Sequence, residues 1–282
     1  MDPYTSYTPL MAHHHMPDSS GPVKLPSLSK PSAAATSGNG KMKFRALYTS
    51  DYLPEEARKF LVTAHGGFGA DHRPGQGETY FALPGGGIIQ ISADLRSVKL
   101  VPAPEEVKTA KLHNPAVWYA ADGSAFLAFA SNNHVKIFTT TLDGRLVATL
   151  DAPTPEHQFD HPEVNDYFLG RGNFAPTGVD QLEGRYYVTT SYSNLDYVPT
   201  ASILCIEPFL VEWSDLVFGG KGTAPGQVGT PYANTVPPGR GRLDVSDRPN
   251  SRIERFTPES RFRSMLKMPA GSLPCDTDYL DE

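Results

Sequence analysis

A chain of 282 residues with 25 Gly and 26 Pro, 39% hydrophobic and 20% charged, carries too many helix breakers for a long bundle or coiled coil and too few for wholesale disorder. Short strands joined by many turns remain, with 14 Phe and 13 Tyr to fill a core. A formal charge of -6 disfavours general binding to nucleic acid or an anionic membrane. With only two cysteines, Cys205 and Cys275, a disulfide framework and a cysteine-rich zinc site are excluded.

Residues 1–41 are rich in Ser, Pro, Ala and Thr, keep no hydrophobic period, and read as a flexible tail. The start lacks a basic segment followed by an apolar one, which gives a cytoplasmic expectation; a periplasmic or secreted protein whose signal has been lost is the alternative. No run approaches the ~18 apolar residues of a membrane span. Residues 42–282 form the domain. Asp51–Val62 predicts one short helix, with Pro54 near its first turn and Glu55 and Glu56 early. Cys205, in an apolar run with Ile203, Leu204 and Ile206, reads as a buried free thiol.

Beyond the helix the sequence repeats. The interval from Pro115 to Pro231 equals that from TLDGRLVATL at Thr141 to TPESRFRSML at Thr257. From Pro115 the chain reads AVWYA, FLAFA, VKIFTTT and RLVATL, four short strands separated by Asp, Asn and Gly turns. The unit from Pro231 has the same order, and RYYVTT and ASILCI mark the unit from Pro176. One four-stranded antiparallel sheet per 40–60 residues is the period of a propeller blade. The expected fold is therefore all-β, a β-propeller with about four blades. Units fall near 61–101, 113–150, 174–218 and 229–268, with a partial unit over 272–282. Two endings are open. Either the ring is incomplete, or Pro274–Leu280 closes it at four blades by pairing beside YFALP at Tyr80–Pro84.

The segment Phe218–Leu266 resembles an NHL repeat. Phe218, Gly219, Lys221, Gly222, Pro225, Gly226, Gln227 and Pro231 match its glycine-rich lead. Val245, Asp247, Arg248, Asn250, Arg252, Ile253 and Phe256 match its signature. Val228 departs where an aromatic is usual, and Tyr232-Ala233-Asn234 departs where a His-Gly pair is common. The resemblance implies structural work for these residues: glycines for tight crossovers, Gln227 tying loop backbone, and Asp247 accepting from a turn and from Arg248 or Arg252.

The resemblance extends to six-bladed peptidyl-hydroxyglycine amidating lyases, which hold zinc at the channel mouth with three histidines beside a Tyr and an Arg. It implies His113, before an inner strand, and His65, were residues 61–66 an inner strand, as metal ligands. His72, His157 or His161 would be the third. Zinc or calcium is the cofactor class implied, and none is fixed by the residues themselves. The loop Asp151–Arg171 reads as a recognition segment, and Arg171, Asn173, Asp180, Asn234 and Asp276 are the candidate binding residues. Asp278 shares the expected inward strand position.

A basic stretch holds Arg240, Arg242, Arg248, Arg252, Arg255, Arg261, Arg263 and Lys267 against Asp244, Asp247, Glu254 and Glu259. It reads first as a sheet face with cross-strand ion pairs. The expectation is a binding or interaction scaffold for a protein, peptide or small molecule, not for nucleic acid. A metal-dependent lyase is the alternative.

Overall fold

The computed structural model describes residues 36–37, 43–45, 53, 55–64, 66–95, 97–205 and 209–279. It divides into two units, 1–49 and 50–282. In the first, β1 (Thr36–Ser37) pairs antiparallel with β2 (Phe44–Arg45). Apart from residues 36–37, the tail expected over 1–41 lies outside the described residues, as does His65.

The second unit contains four antiparallel four-stranded meanders in chain order. The first comprises β3 (Phe68–Ala70), β4 (Thr79–Leu83), β5 (Gly87–Ile91) and β6 (Val98–Val101). The second has β7 (Leu112–Tyr119), β8 (Ala125–Ser131), β9 (Lys136–Thr141) and β10 (Leu146–Asp151). The third has β11 (Gly178–Leu182), β12 (Arg185–Thr189), β13 (Tyr197–Leu204) and β14 (Leu210–Gly219). The fourth has β15 (Pro231–Thr235), β16 (Leu243–Asp247), β17 (Arg252–Phe256) and β18 (Phe262–Lys267). The hairpins turn where the sequence supplies glycine: Gly123 and Gly184 have φ of 85° and 74°, backbone that a side chain disfavours.

The second and third sheets bury both faces because each has a neighbouring sheet on either side. In β8, Ala128 and Ala130 pack with Trp118, Ile137, Val179, Tyr186 and Val188 toward the third sheet. The alternate residues Leu127 and Phe129 pack with Tyr80, Ile88, Val101 and Phe138 toward the first. That explains the unbroken apolar run FLAFA, which strict alternation would misread. Tyr187, Val198 and Phe218 of the third sheet meet Leu243, Val245 and Phe256 of the fourth. Fully burying one such side chain contributes about 1.5–3 kcal/mol, so these three interfaces hold the sheets as successive propeller blades.

The face of the first sheet turned away from the second is covered by the segment before it. Here α1 (Glu55–Arg58) and a 3-10 turn (Leu61–Thr63) replace the single helix expected over Asp51–Val62. Ala57, Phe60 and Leu61 pack on Leu83 and Ile89. The 3-10 turn takes the place expected for an inner strand: Leu61 and Ala64 pack on the sheet face, and the inner strand begins at Phe68. A further helix, α2 (Glu105–Thr109), joins the first two sheets. Within the loop expected over 151–171 the structure places α3 (Pro162–Leu169). Pro162 begins it, where its missing N–H costs nothing, and Val164 and Phe168 are buried.

Residues 272–279 form no strand. The strand beside β4 is β3, so the place that Pro274–Leu280 would take in a four-blade closure is already filled. Cys205 is exposed, against expectation, because it follows the last residue of β13 at the outer end of the hairpin, beyond the buried part of the sheet. Among the described residues, no helix is long and apolar enough to cross a membrane.

Candidate functional site

The first strands β3, β7, β11 and β15 stand next to one another in that order, and residues of all four line a central channel. Asn114 accepts from the Gly67 N–H, and the Tyr119 hydroxyl from the His72 N–H at 2.7 Å, which aligns β3 with β7. The Val236 N–H donates to Asp180 at 2.5 Å, aligning β15 with β11. Asn114, Gly178, Asp180, Asn234 and Asp276 line a small space of about 50 Å³ in the channel. Below it opens a cavity of about 670 Å³, sharing Phe68, Ala116, Asp180 and Asp278 and walled further by Trp118, Leu182, Val236, Pro237 and Tyr279.

Three of the five candidate binding residues, Asp180, Asn234 and Asp276, thus meet in one place. Asn234 donates to the Tyr187 carbonyl at 2.9 Å and accepts from Thr189 at 3.3 Å, so its amide joins the third and fourth sheets. Burial pushes the Asp180 carboxyl up to about 7, against the Val236 and Gln181 N–H groups, and Asp276 adds repulsion. Burial likewise pushes Asp276 up to about 6; the Thr277 N–H and the Asn114 amide oppose this, and Asp278 reinforces it. Asp278 is raised by burial, with His72 opposing. Carboxyls gathered in one low-dielectric space compete for protons and attract a cation or hydrogen-bond donor.

Arg171 and Asn173 lie elsewhere, exposed beyond α3. Asn173 donates to the Tyr192 carbonyl at 3.2 Å and its own carbonyl accepts from Tyr167 at 2.6 Å. Tyr192 belongs to a cluster at the opposite end of the channel. His113, 1% exposed, has the Tyr192 ring at 5.8 Å and the Tyr232 ring at 6.4 Å; the two hydroxyls are 3.1 Å apart, and the Arg248 guanidinium lies 4.9 Å over Tyr232. Burial holds the Tyr232 hydroxyl well above the ordinary phenol range. The described candidate histidines other than His113 have these neighbours. His72 sits beside Tyr119 at the far end, His157 is 3.1 Å from the Ser214 carbonyl, and His161 is 3.3 Å from the Tyr197 hydroxyl. Among the described residues, no three His, Cys, Asp or Glu side chains gather to hold a metal, so no step through zinc or calcium is derived.

The repeat-signature residues form a lock under the fourth sheet. Asp247 accepts from the Gly229 N–H at 2.9 Å, from Asn250 at 2.8 Å and from Arg252 at 2.6 Å. Arg252 also donates to the carbonyls of Thr223 and Gln227, each at 2.8 Å, and lies 3.1 Å from Glu254. Asn250 donates to the Gly222 carbonyl at 2.9 Å, and Gln227 accepts from the Ala224 N–H at 3.2 Å. A Cβ at Gly222 would collide with Gln227, Gly219 and Gly226 have φ of 106° and 85°, and Lys221 bridges to Val228. Pro225 lies in the turn between them. The partner of Asp247 is Arg252, not Arg248, which is instead turned onto Tyr232. In the basic stretch Arg242, Arg255 and Arg261 are also paired, with Asp244 or Glu259.

Sequence reasoning missed Asn114, Phe68 and Tyr279 as channel residues. Asn114 could have been found from its place beside Pro115 in an inner strand. Phe68 carried no signal, because the strand that holds it is three residues long.

No family model matches the sequence, and no curated protein matches it. Among solved structures, the chain is similar to a virginiamycin B lyase from Staphylococcus aureus (19% identity, TM-score 0.43, 73% of this chain and 57% of that one). It is also similar to the β-propeller domain of Cps50 (Swd1) from Myceliophthora thermophila (11% identity, TM-score 0.42, 69% and 57%). A third similar structure is BBS1N in complex with ARL6DN (12% identity, TM-score 0.41, 71% and 49%). The chain spans less than two thirds of the length of each.

Proposed function

We propose that this chain is a ligand-binding propeller module whose site is the wide end of the channel. The carrying observation is the cavity of about 670 Å³, into which residues of all four first strands project. That volume falls within the roughly 300–1,000 Å³ of small-molecule sites. Its walls are apolar at Phe68, Trp118, Leu182 and Val236, and its acids, Asp180 and Asp278, sit together at the end shared with the small space. Shape and charge suit a ligand, or a side chain of a partner peptide, with an apolar body and a cationic or hydrogen-bond-donating head. The lock of Asp247, Asn250 and Arg252 supports an NHL-type scaffold in which the repeat signature is structural.

The test is a panel of aromatic amines and matched aromatic carboxylates, read by thermal shift on the native chain and on Ala116→Phe. Amines should stabilise the native chain more than carboxylates, and Ala116→Phe should abolish the shift while keeping the circular dichroism of the fold. Retained binding in Ala116→Phe would remove the cavity as the site.

A further inference from the structure

Arg248 and Arg252 share one stretch of sequence, and their surroundings differ. Arg252 donates to Asp247 and to the carbonyls of Thr223 and Gln227. Arg248, half-buried in the turn after β16, carries a fork of N–H donors, and among the described residues no carboxylate or carbonyl accepts from it. Its charge rests on the Tyr232 ring, 4.9 Å from the ring centre.

The phenols beside it leave a further donor. The hydroxyl oxygens of Tyr192 and Tyr232 are 3.1 Å apart, so one O–H donates to the other and the second hydrogen has no acceptor within the pair. Neither hydroxyl bonds elsewhere among the described residues. Burial holds Tyr232 above the ordinary phenol range, which keeps its hydrogen on oxygen at neutral pH. The rings are fixed from behind. The Tyr232 carbonyl accepts from Thr177 at 2.6 Å and from Thr189 at 3.0 Å, and the Tyr192 carbonyl from Asn173 at 3.2 Å. Buried His113 packs against both rings, while Tyr192, Tyr232 and Arg248 each stay partly open to solvent.

We propose that Arg248, Tyr192 and Tyr232 form a carboxylate-binding site at the end of the channel opposite the wide cavity. A guanidinium presents paired N–H groups at the spacing of two carboxylate oxygens, and the phenol hydrogen supplies a further donor. One positive charge matches the single charge of a carboxylate, whereas a phosphate dianion would keep half of its charge uncompensated. The carboxylate comes from a small acid or from a chain terminus. This site is separate from the wide cavity. In β7, His113 lies near the start and Tyr119, which lines that cavity, at the end, roughly 20 Å away for an extended strand. The proposal does not rest on the binding reading above.

NMR titration of the full chain with acetate and with N-acetyl-glycylglycine, each beside its uncharged amide, tests the site. Both acids should shift the backbone N–H signals of Tyr192, Tyr232 and Arg248 and leave those of β8 in place; the uncharged probes should bind at least about tenfold more weakly. Arg248→Gln, which keeps a polar side chain and removes the charge, should weaken the acids about tenfold or more, with Arg248→Lys in between. Tyr192→Phe and Tyr232→Phe should each cost less than the double variant, because either hydroxyl alone still donates to the anion. A tenfold preference for the dipeptide assigns the site to a chain terminus, and comparable affinities assign it to a small acid. No binding by either acid, equal binding of the uncharged probes, or unchanged affinity in Arg248→Gln would overturn the site. Ala116→Phe should leave these titrations as they are; their loss there would put the carboxylate in the wide cavity and overturn the site too. Amine binding in the wide cavity is read separately, so either reading can fail while the other stands.

Discussion

The lock under the fourth sheet and the acid group in the channel are two answers to the same problem, a carboxylate away from water. In the lock, Arg252 lies 2.6 Å from Asp247 and 3.1 Å from Glu254, and the remaining valences of Asp247 are filled by Gly229 and Asn250. In the channel, Asp180 and Asp276 have backbone N–H groups and an amide but, among the described residues, no arginine or lysine. Burial raises the carboxyls in both places, Glu254 and Asp180 each to about 7. The difference is what remains to be satisfied. The lock closes on itself and suits a scaffold; the channel leaves negative charge facing an open cavity and suits recognition or a proton-linked change.

The sharpest way to break this contrast is Arg252→Ala. It strips the countercharge from two buried acids and should destabilise the protein by about 3–5 kcal/mol, read by denaturant unfolding. A loss near that of a surface substitution would show that the lock is not what holds the fourth sheet. Next in size is the pH response. Asp180, Glu254 and Asp276 all have raised values, so they take up protons on folding, and their contribution is full in acid and lost as pH rises from about 4 to about 7. The melting temperature should be higher at about pH 5 than at about pH 8. Asp180→Asn should recover on the order of 3 kcal/mol of the difference, with Glu254→Gln, still beside Arg252, recovering less. A native chain more stable at the higher pH would reverse the sign of the argument. Asn250→Ala, which removes one partner of Asp247 and leaves Arg252 in place, should cost about 1–2 kcal/mol. At the small end, Arg261→Ala breaks only the exposed pair with Glu259 and should leave the melting temperature where it is.

Much of the strand layout could be read from residues alone. The strands β7–β10 and β15–β18 follow runs that could be read because their turns carry Asp, Asn and Gly at hairpin spacing. The first unit was harder. Its inner strand is three residues long, and the apolar run before it, Phe60 to Ala64, serves a sheet face instead. The channel was partly legible: Asp180, Asn234 and Asp276 each follow a proline that opens an apolar run by two to four residues. Arg171 and Asn173, chosen from the same loop-rich stretch, end up outside it, since α3 packs over the second and third sheets and turns them to solvent.

What the sequence determined by itself is the local plan: glycine and proline set the turns, and apolar runs such as FLAFA and RYYVT made strands that bury both faces. What only the tertiary structure decided is which residues from distant units meet. Asp180 and Asp276 are far apart along the chain, and nothing in either unit states that a segment without a sheet will lie in the channel. Likewise both Arg248 and Arg252 fit the signature, and the choice between them as the partner of Asp247 fell to strand register. Arg252 lies directly across the ladder from Asp247, whereas Arg248 falls in the turn and swings onto Tyr232. Local chemistry acts on neighbours in sequence; charge pairing and desolvation act on neighbours in space, which only the packed sheets define.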